Sequence, residues 1–175
     1  MRKIAILIAL FLLTGCTELN LISGGSLLQN GNYLVNGGNP IQIEIKRIGV
    51  GTQLGRMEVI VKNTSAEAIE FDCTQTIIST DRGEQIQAVS PDNAAEAISS
   101  DAFSQAMLGT SKSIHAAESS RGEIRREGIG KVLIQPNGFI EGALFFIPPK
   151  QDYSRLIFTF KDIQGAPQVI TSKTN

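Results

Sequence analysis

Apolar side chains at every second position, mostly alternating with polar ones, are the feature that most constrains the fold of this chain. Apolar residues take every second position in two stretches separated by glycines, with Ile41, Ile43 and Ile45 in the first and Met57, Val59 and Val61 in the second. A period of two places these side chains on one face of a β-strand, whereas an amphipathic helix repeats every three to four residues. The alternation therefore predicts strands with one buried face.

Further strand-like segments follow at short intervals, separated by turn signals. Asp81-Arg82-Gly83 and Asn137-Gly138 are typical of turns, and Asn-Gly tolerates a positive φ. The segments themselves read IEFD, TQTIIST, EQIQAV, IGKVLI, FIEGALFFIPP, RLIFTFKD and APQVIT. Many short strands joined by turns are typical of an antiparallel β-sandwich. We therefore expect a mainly β fold of about seven to nine short strands.

Residues 90–128 interrupt this pattern. Ser90 and Pro91 suit a helix N-cap and the first helical position. The apolar residues that follow are spaced three and four apart, namely Ala94, Ala95, Ile98, Ala102, Phe103, Ala106 and Met107. The spacing predicts one helix, or two short ones, ending near Gly109, and then a polar stretch from Thr110 to Gly128. Such an insertion either closes one open end of the sandwich, through Ile98, Phe103 and Met107, or contacts a partner protein.

The N-terminal segment has the organisation of a secretory signal. Arg2 and Lys3 precede the continuously apolar residues 4–13. Ten helical residues span about 15 Å, half of a hydrocarbon core of roughly 30 Å, which is too short for a stable transmembrane helix. The segment therefore predicts the apolar region of a signal peptide.

The sequence Leu13-Thr14-Gly15-Cys16, which begins at the last residue of this apolar run, resembles the lipobox of bacterial lipoproteins. The resemblance implies that residues 1–15 are a signal peptide cut before Cys16, and that the Cys16 thiol receives a diacylglycerol. In that family an Asp after the cysteine is linked to inner-membrane retention, and here the position is Thr17. We expect a lipid-anchored envelope protein, at the outer membrane and facing the periplasm or the cell surface if the host is Gram-negative.

The region after the lipobox predicts a linker rather than a folded element. Gly, Asn and Ser dominate residues 17–40, and Gly24-Gly25 and Gly37-Gly38 disfavour a long helix. A flexible chain of this length would span roughly 27 Å. The predicted organisation is thus a lipidated Cys16 with a flexible tether over 16–40 and a β-sandwich domain over 41–175, with the helical and polar insertion at about 90–128.

The order of segments over about residues 41–165 is similar to the telokin-like immunoglobulin-fold domains of secreted bacterial lipoproteins. The resemblance lies in VIVKNTS, IEFD, TIISTDRGEQI, LIQPNGFIEGALFFIPP and LIFTFKD, and it is interrupted by residues 90–128. It implies an immunoglobulin-like sandwich that binds or scaffolds other components, and it carries no catalytic residues. The chain departs from antibody domains because it has no Trp and, with Cys16 lipidated, no pair of cysteines left for a disulfide.

Charge and cysteine content exclude some functions. Removing residues 1–15 takes Arg2 and Lys3 from the 16 basic residues and none from the 17 acidic ones, leaving a net charge of about −3. A chain so near neutrality lacks the basic character of nucleic-acid-binding proteins. With Cys16 lipidated, Cys73 has no disulfide partner, and we expect it to pack in the core rather than act as a reactive or intermolecular thiol.

No pattern in the sequence indicates catalysis or metal binding. His115 is the sole histidine, in a polar stretch, and no Gly-Xaa-Ser-Xaa-Gly surrounds a serine. One histidine and one free cysteine cannot complete a zinc site without distant carboxylates. Glu123, Arg125, Arg126 and Glu127 read as a solvated face, and Asn63-Thr64-Ser65 as a chance match to a glycosylation sequon.

We therefore predict no catalytic, cofactor or metal site and no enzymatic activity. The expected function is a non-enzymatic binding or scaffolding module for other envelope components, anchored to the membrane through the lipid on Cys16 and contacting an envelope protein. The alternative is an envelope-anchored hydrolase or enzyme inhibitor, which a pocket holding His115 beside a serine and a carboxylate would favour.

Overall fold

The computed structural model describes residues 17–35, 40–106, 111–160 and 168–174, with side chains described over 19–21, 23–35, 40–98 and 118–160. This part of the chain holds twelve strands and two α-helices. The strands are β1 (Thr17–Ser23), β2 (Gly25–Leu27), β3 (Tyr33–Val35), β4 (Ile41–Val50), β5 (Gly55–Asn63), β6 (Ile69–Asp72), β7 (Thr76–Thr80), β8 (Gln85–Val89), β9 (Lys131–Ile134), β10 (Phe139–Phe146), β11 (Arg155–Phe160) and β12 (Gln168–Thr174). The helices are α1 (Pro91–Ala106) and α2 (Ser111–Glu127), and a short 3-10 turn covers Cys73–Gln75.

Ten of these strands form one antiparallel sheet in the order β1-β12-β11-β7-β8-β10-β5-β4-β3-β2, and β6 and β9 form a separate pair. The prediction of a mainly β, antiparallel fold is confirmed. β1 also pairs with β4, through Thr17 with Val50 and Glu18 with Gly49. Because β1 bonds to β12 along its other edge, the sheet is curled and β1 joins its two sides.

The core lies inside this curl. Burial in β5 alternates at every position, with Met57, Val59 and Val61 buried as the period of two predicts. The rings of Phe146 in β10 and Phe158 in β11 meet edge to face, with centroids 5.7 Å apart. Two strands, β8 and β7, separate β10 from β11 in the sheet. The ring contact therefore crosses the interior, and both sides of the curled sheet share one core.

Strands β1 to β3 occupy residues for which the sequence predicts a flexible tether, and for residues 17–35 that prediction is wrong. Leu19 and Val35 are only 5% and 3% exposed. Two glycines of this region, Gly24 and Gly31, adopt positive φ of 93° and 84°. L side chains disfavour these φ values, so glycine is needed at both turns. The partners of β1 are β4 and β12, which are distant in sequence, so local composition could not reveal the pairing.

The insertion forms a helical hairpin on the outside of the sheet. Ser90 caps α1 as predicted, since its Oγ accepts a hydrogen bond from the Asn93 amide at 3.3 Å. α2 occupies the stretch predicted only to be polar, where no helix was assigned. The two helices pack on each other, and α1 packs on β10. No helix in the described ranges is long and apolar enough to cross a bilayer.

Buried residues of the hairpin form a second small apolar cluster. It comprises Ala94, Ala95, Ile124, Ala143 and Phe145, with Leu54, Val89 and Ile98 packed against it. In β10, Ala143 and Phe145 face this cluster while Leu144 and Phe146 belong to the main core. The hairpin thus covers the outer face of β10. Phe103 and Met107, expected to help close an end of the sandwich, lie outside the residues with described side chains.

Candidate functional site

Cys16, the expected lipid attachment residue, lies outside the described residues, and β1 begins at the next position. The backbone of Thr17 pairs with Val50, the last residue of β4. Thr17 therefore lies at the end of the sheet where β4 ends.

The connections at this end of the sheet, which we call the Thr17 end, include residues 51–54, 81–84 and 147–154. The strand registers put them there. Val50 pairs with Gly55, and Gly55 pairs in turn with Phe146. On the other side of the curl, Leu156 pairs with Thr80. The opposite end, which we call the Asn63 end, carries the end of β5 and the turn 135–138 that precedes β10.

Carboxylates hold two of the connections at the Thr17 end together. Glu84 accepts hydrogen bonds from the backbone amides of Lys150 and Gln151 at 3.1 and 3.2 Å. Asp81 accepts from the Ser154 hydroxyl at 2.6 Å, and this bond holds the pKa of Asp81 below its usual range. The 147–154 connection is thereby fixed to the β7–β8 turn.

The outer surface of the Thr17 end is partly apolar and carries charges of both signs. Ile147 is a large apolar residue with 38% of its surface exposed, and two prolines follow it. The exposed charged residues here include Arg82, Lys150, Asp152 and Arg155. This surface therefore combines an exposed apolar side chain with exposed charges of both signs.

A charged cleft of about 370 Å³ lies where β4, β5 and β10 meet the end of α2. The described residues that line it are Lys46, Arg56, Glu58, Arg126, Glu127, Glu141 and Gly142. Arg56 contacts Glu127 at 2.8 Å and Glu58 at 3.3 Å, and Lys46 pairs with Glu141. Each carboxylate thus has a cationic partner. Exposed pairs contribute little stability, about 0–1 kcal/mol each. The cleft connects α2 to β5 and does not concentrate one sign of charge.

The predicted solvated face of α2 is used in part for these contacts. Arg125 Nε pairs with Asp92 of α1 at 2.9 Å, and Glu127 pairs with Arg56 of β5. The remaining charged positions Glu123 and Arg126 are exposed. The sequence could not reveal the two pairs, since their members are far apart along the chain.

Asn63, the first residue of the chance sequon match, is a buried polar residue. Its side chain is 1% exposed. The amide nitrogen donates to the carbonyl oxygens of Glu67, Ile134 and Gln135 at 2.6, 3.1 and 3.2 Å, and the amide oxygen accepts from the Ser65 amide at 2.9 Å. The sequon match therefore marks a structural asparagine whose nitrogen is buried and hydrogen-bonded in the folded chain.

Cys73 and His115 are placed differently from each other. Cys73 is 0% exposed, in agreement with core packing, and burial raises the pKa of its thiol to about 11, so it stays protonated at neutral pH. His115 lies in α2 rather than in a polar loop, and its side chain is outside the described ones. Among the described residues, no three His, Cys, Asp or Glu side chains are grouped so as to hold a metal ion.

Two large apolar side chains are exposed at the Asn63 end. Phe139 is 65% exposed and Leu133 58%, and they flank the turn 135–138. Asn137 in this turn has the positive φ, 56°, that the Asn-Gly signal predicts.

The comparisons with known proteins give one distant structural likeness. No protein-family profile matches the chain, and no curated protein sequence matches it. The chain is similar in structure to the yjhA protein from Bacillus subtilis, with 7% sequence identity and a TM-score of 0.42, over 81% of this chain and 76% of that one.

Proposed function

We propose that this chain is a lipid-anchored lipoprotein of the bacterial cell envelope and acts there as a non-enzymatic binding or scaffolding module. The observation that carries the proposal is Leu13-Thr14-Gly15-Cys16, preceded by two basic residues and nine apolar ones. All parts of a lipoprotein signal are present in their required order. The apolar run is too short to span a bilayer, so the lipid would be the means of attachment.

Acyl chains on Cys16 account for stable attachment. Each buried CH₂ contributes about 0.8 kcal/mol, and one chain alone binds only marginally. A diacylglycerol on the thiol together with an acylated amine supplies enough apolar length for a lasting anchor. Thr17 after the cysteine favours the outer membrane in a Gram-negative host.

We further propose that the domain is an immunoglobulin-like, telokin-like β-sandwich, with the two sides of the curled sheet as its layers. The contact between Phe146 and Phe158 across the interior supports this assignment. Such folds serve many functions, so the role must come from the surfaces they present.

The helical hairpin is the proposed partner-binding surface. It packs on the outer face of β10 through its own apolar cluster, apart from the core inside the curl. Its outward positions include the exposed residues Ser119, Glu123 and Arg126. An element that packs outside the main core and presents polar helical surface suits contact with another envelope protein.

The anchor is tested by labelling with palmitate. We expect labelled palmitate to enter the wild-type protein and to be absent from Cys16→Ser, because the acceptor thiol is removed. Cys73→Ala is the matched control and should label like wild type, since Cys73 is a buried free thiol. Equal labelling of wild type and Cys16→Ser would refute the anchor.

Partner binding is tested by cross-linking in intact cells. A photo-crosslinking amino acid at Ser119 or Glu123 is expected to give a defined adduct with an envelope protein, and the same amino acid at Gln87, exposed on β8, to give none. Single-site cross-linking is preferable to deleting the hairpin, which would uncover Ala143 and Phe145. Adducts missing from both helix positions, or equally abundant at Gln87, would contradict the assignment.

A further inference from the structure

Resting on the lipid anchor proposed above, we infer that the Thr17 end of the sheet lies directly on the bilayer, with residues 51–54 and 147–150 at the level of the lipid headgroups. The partner of this surface is the phospholipid bilayer that holds the acyl chains of the same molecule. The domain would then have a fixed orientation on the membrane rather than turning freely at the end of a linker.

The length of chain between the proposed lipid and the fold determines how freely the domain can turn. A flexible tether of the kind that composition predicts would span roughly 27 Å and leave orientation free. Instead Thr17 already pairs with Val50 in the sheet. One peptide unit, with 3.8 Å between Cα atoms, joins Cys16 to that strand. The lipid is therefore confined to the immediate surroundings of Thr17.

The register of the strands determines which residues surround Thr17. Its partner Val50 leads into the connection 51–54, and Gly55 at the far side of that connection pairs with Phe146. The residues after Phe146 leave the sheet at the same end. Thr52 at the tip of the first connection is exposed, so this rim of the sheet is open to contact.

The side chains in the connection that follows Phe146 suit a layer of lipid headgroups. Ile147 is 38% exposed, and Lys150 follows after two prolines. An exposed apolar side chain and an exposed basic one in the same connection suit the boundary between acyl chains and anionic headgroups. The bonds from Lys150 and Gln151 to Glu84 hold this connection in place, so it presents a fixed surface.

The orientation also decides which residues face away from the membrane. β5 runs from Gly55 at the Thr17 end to Asn63, and nine extended residues reach about 27 Å. The exposed Phe139 and the turn 135–138 lie at the Asn63 end. They would therefore point away from the bilayer, toward the envelope space.

The test measures the depth of two labels on the full-length lipidated protein in phospholipid vesicles that contain headgroup-labelled nitroxide lipid. A fluorophore is attached at Thr52→Cys or at Gln135→Cys, both exposed positions, in a Cys73→Ala background. We expect the nitroxide to quench the label at position 52 several-fold more than the label at position 135. A flexible Gly/Ser linker of about 20 residues, reaching roughly 25 Å, is inserted between Cys16 and Thr17 as the control and should remove the difference.

The outcomes separate the orientation from the anchor. Equal quenching at the two positions, in protein that floats with the vesicles, would overturn the orientation and leave the anchor intact. A difference that persists after linker insertion would contradict the role of the short connection. Protein that fails to float with the vesicles and takes up no palmitate would refute the anchor itself.

Discussion

Replacing Phe146 by alanine is expected to lower the free energy of unfolding by about 3–5 kcal/mol. The side chain is 1% exposed and its ring meets Phe158 across the interior of the curled sheet. Truncation removes that contact and leaves a cavity between the two sides of the sheet, which the close-packed strands cannot move together to fill. The loss is therefore expected to be global, with all strands unfolding together at a lower urea concentration.

Phe145→Ala, one residue earlier in β10, is the matched comparison. It should destabilise the helical hairpin rather than the core inside the curl. Phe145 is 2% exposed, but it belongs to the cluster formed with Ala94, Ala95 and Ile124 of the helices. Alanines offer few other contacts, so the large ring supplies much of the apolar area that holds the hairpin to the sheet. Its loss is expected to loosen α1 and α2 while the interior of the sheet remains packed.

Urea denaturation and amide hydrogen exchange distinguish the two variants. Phe146→Ala should shift the unfolding midpoint strongly. Phe145→Ala should lose exchange protection in α1 and α2 before the strands lose theirs. Protection lost equally in helices and strands of Phe145→Ala would contradict a separate hairpin cluster, and a cost below about 1 kcal/mol for Phe146→Ala would contradict its place in the core.

Strands β5 and β10 show what the periodicity of the sequence can and cannot predict. A period of two assigns faces correctly in β5, where Met57, Val59 and Val61 are buried, because one-sided burial leaves a local trace. In the second half of β10 both faces are buried, one by the core and one by the helices. Periodicity there disappears, and the position of the hairpin over this strand could not be predicted.

Two elements were missed because their stabilisation is not local. β1 is stabilised by pairing with β4 and β12, neither of which is adjacent in sequence, and its composition resembles a linker. α2 has few apolar residues, and among its described side chains Ile124 is the buried one. With so narrow an apolar face the helical period was too weak to detect. Tertiary contacts, rather than local propensity, determine both elements.

The candidate site likewise has one part that the sequence suggests and one part that only the strand pairing reveals. A contiguous motif suggests Cys16, so the sequence alone can propose the anchor. The surroundings of the anchor follow only from strand register, because residues 51–54 and 147–150 meet near Thr17 through pairings across the sheet. Composition predicted a flexible tether where the structure has a strand. Because Thr17 already pairs in the sheet, an orientation of the domain on the membrane can be proposed.

Asn63→Asp is expected to destabilise the fold by roughly 3–5 kcal/mol at neutral pH, although it changes one atom of the side chain. The amide nitrogen of Asn63 donates to the carbonyl oxygens of Glu67, Ile134 and Gln135. A carboxylate in that position has no proton to donate and places negative charge against three acceptors. The group is also 1% exposed, so water cannot compensate.

The effect should depend on pH, and the sign follows from the introduced carboxyl group. Burial and the facing carbonyl oxygens favour its neutral form in the folded state, which raises its folded pKa above the unfolded value near 3.9. The variant is therefore most stable, relative to wild type, below about pH 4, and it loses stability as the pH rises through the folded pKa. Asn63→Ala, which cannot titrate, should be destabilised without this added pH dependence.

Asn137→Asp is the matched control, because it makes the same substitution at an exposed turn position whose positive φ both residues tolerate. Its free energy of unfolding should stay within about 0.5 kcal/mol of wild type. Thermal unfolding of the three variants between about pH 4 and pH 8 would measure both the size and the slope of the effect. An Asn63→Asp protein as stable as the control at neutral pH would show that the hydrogen bonds of Asn63 do not hold the β5 end to the residues before β10.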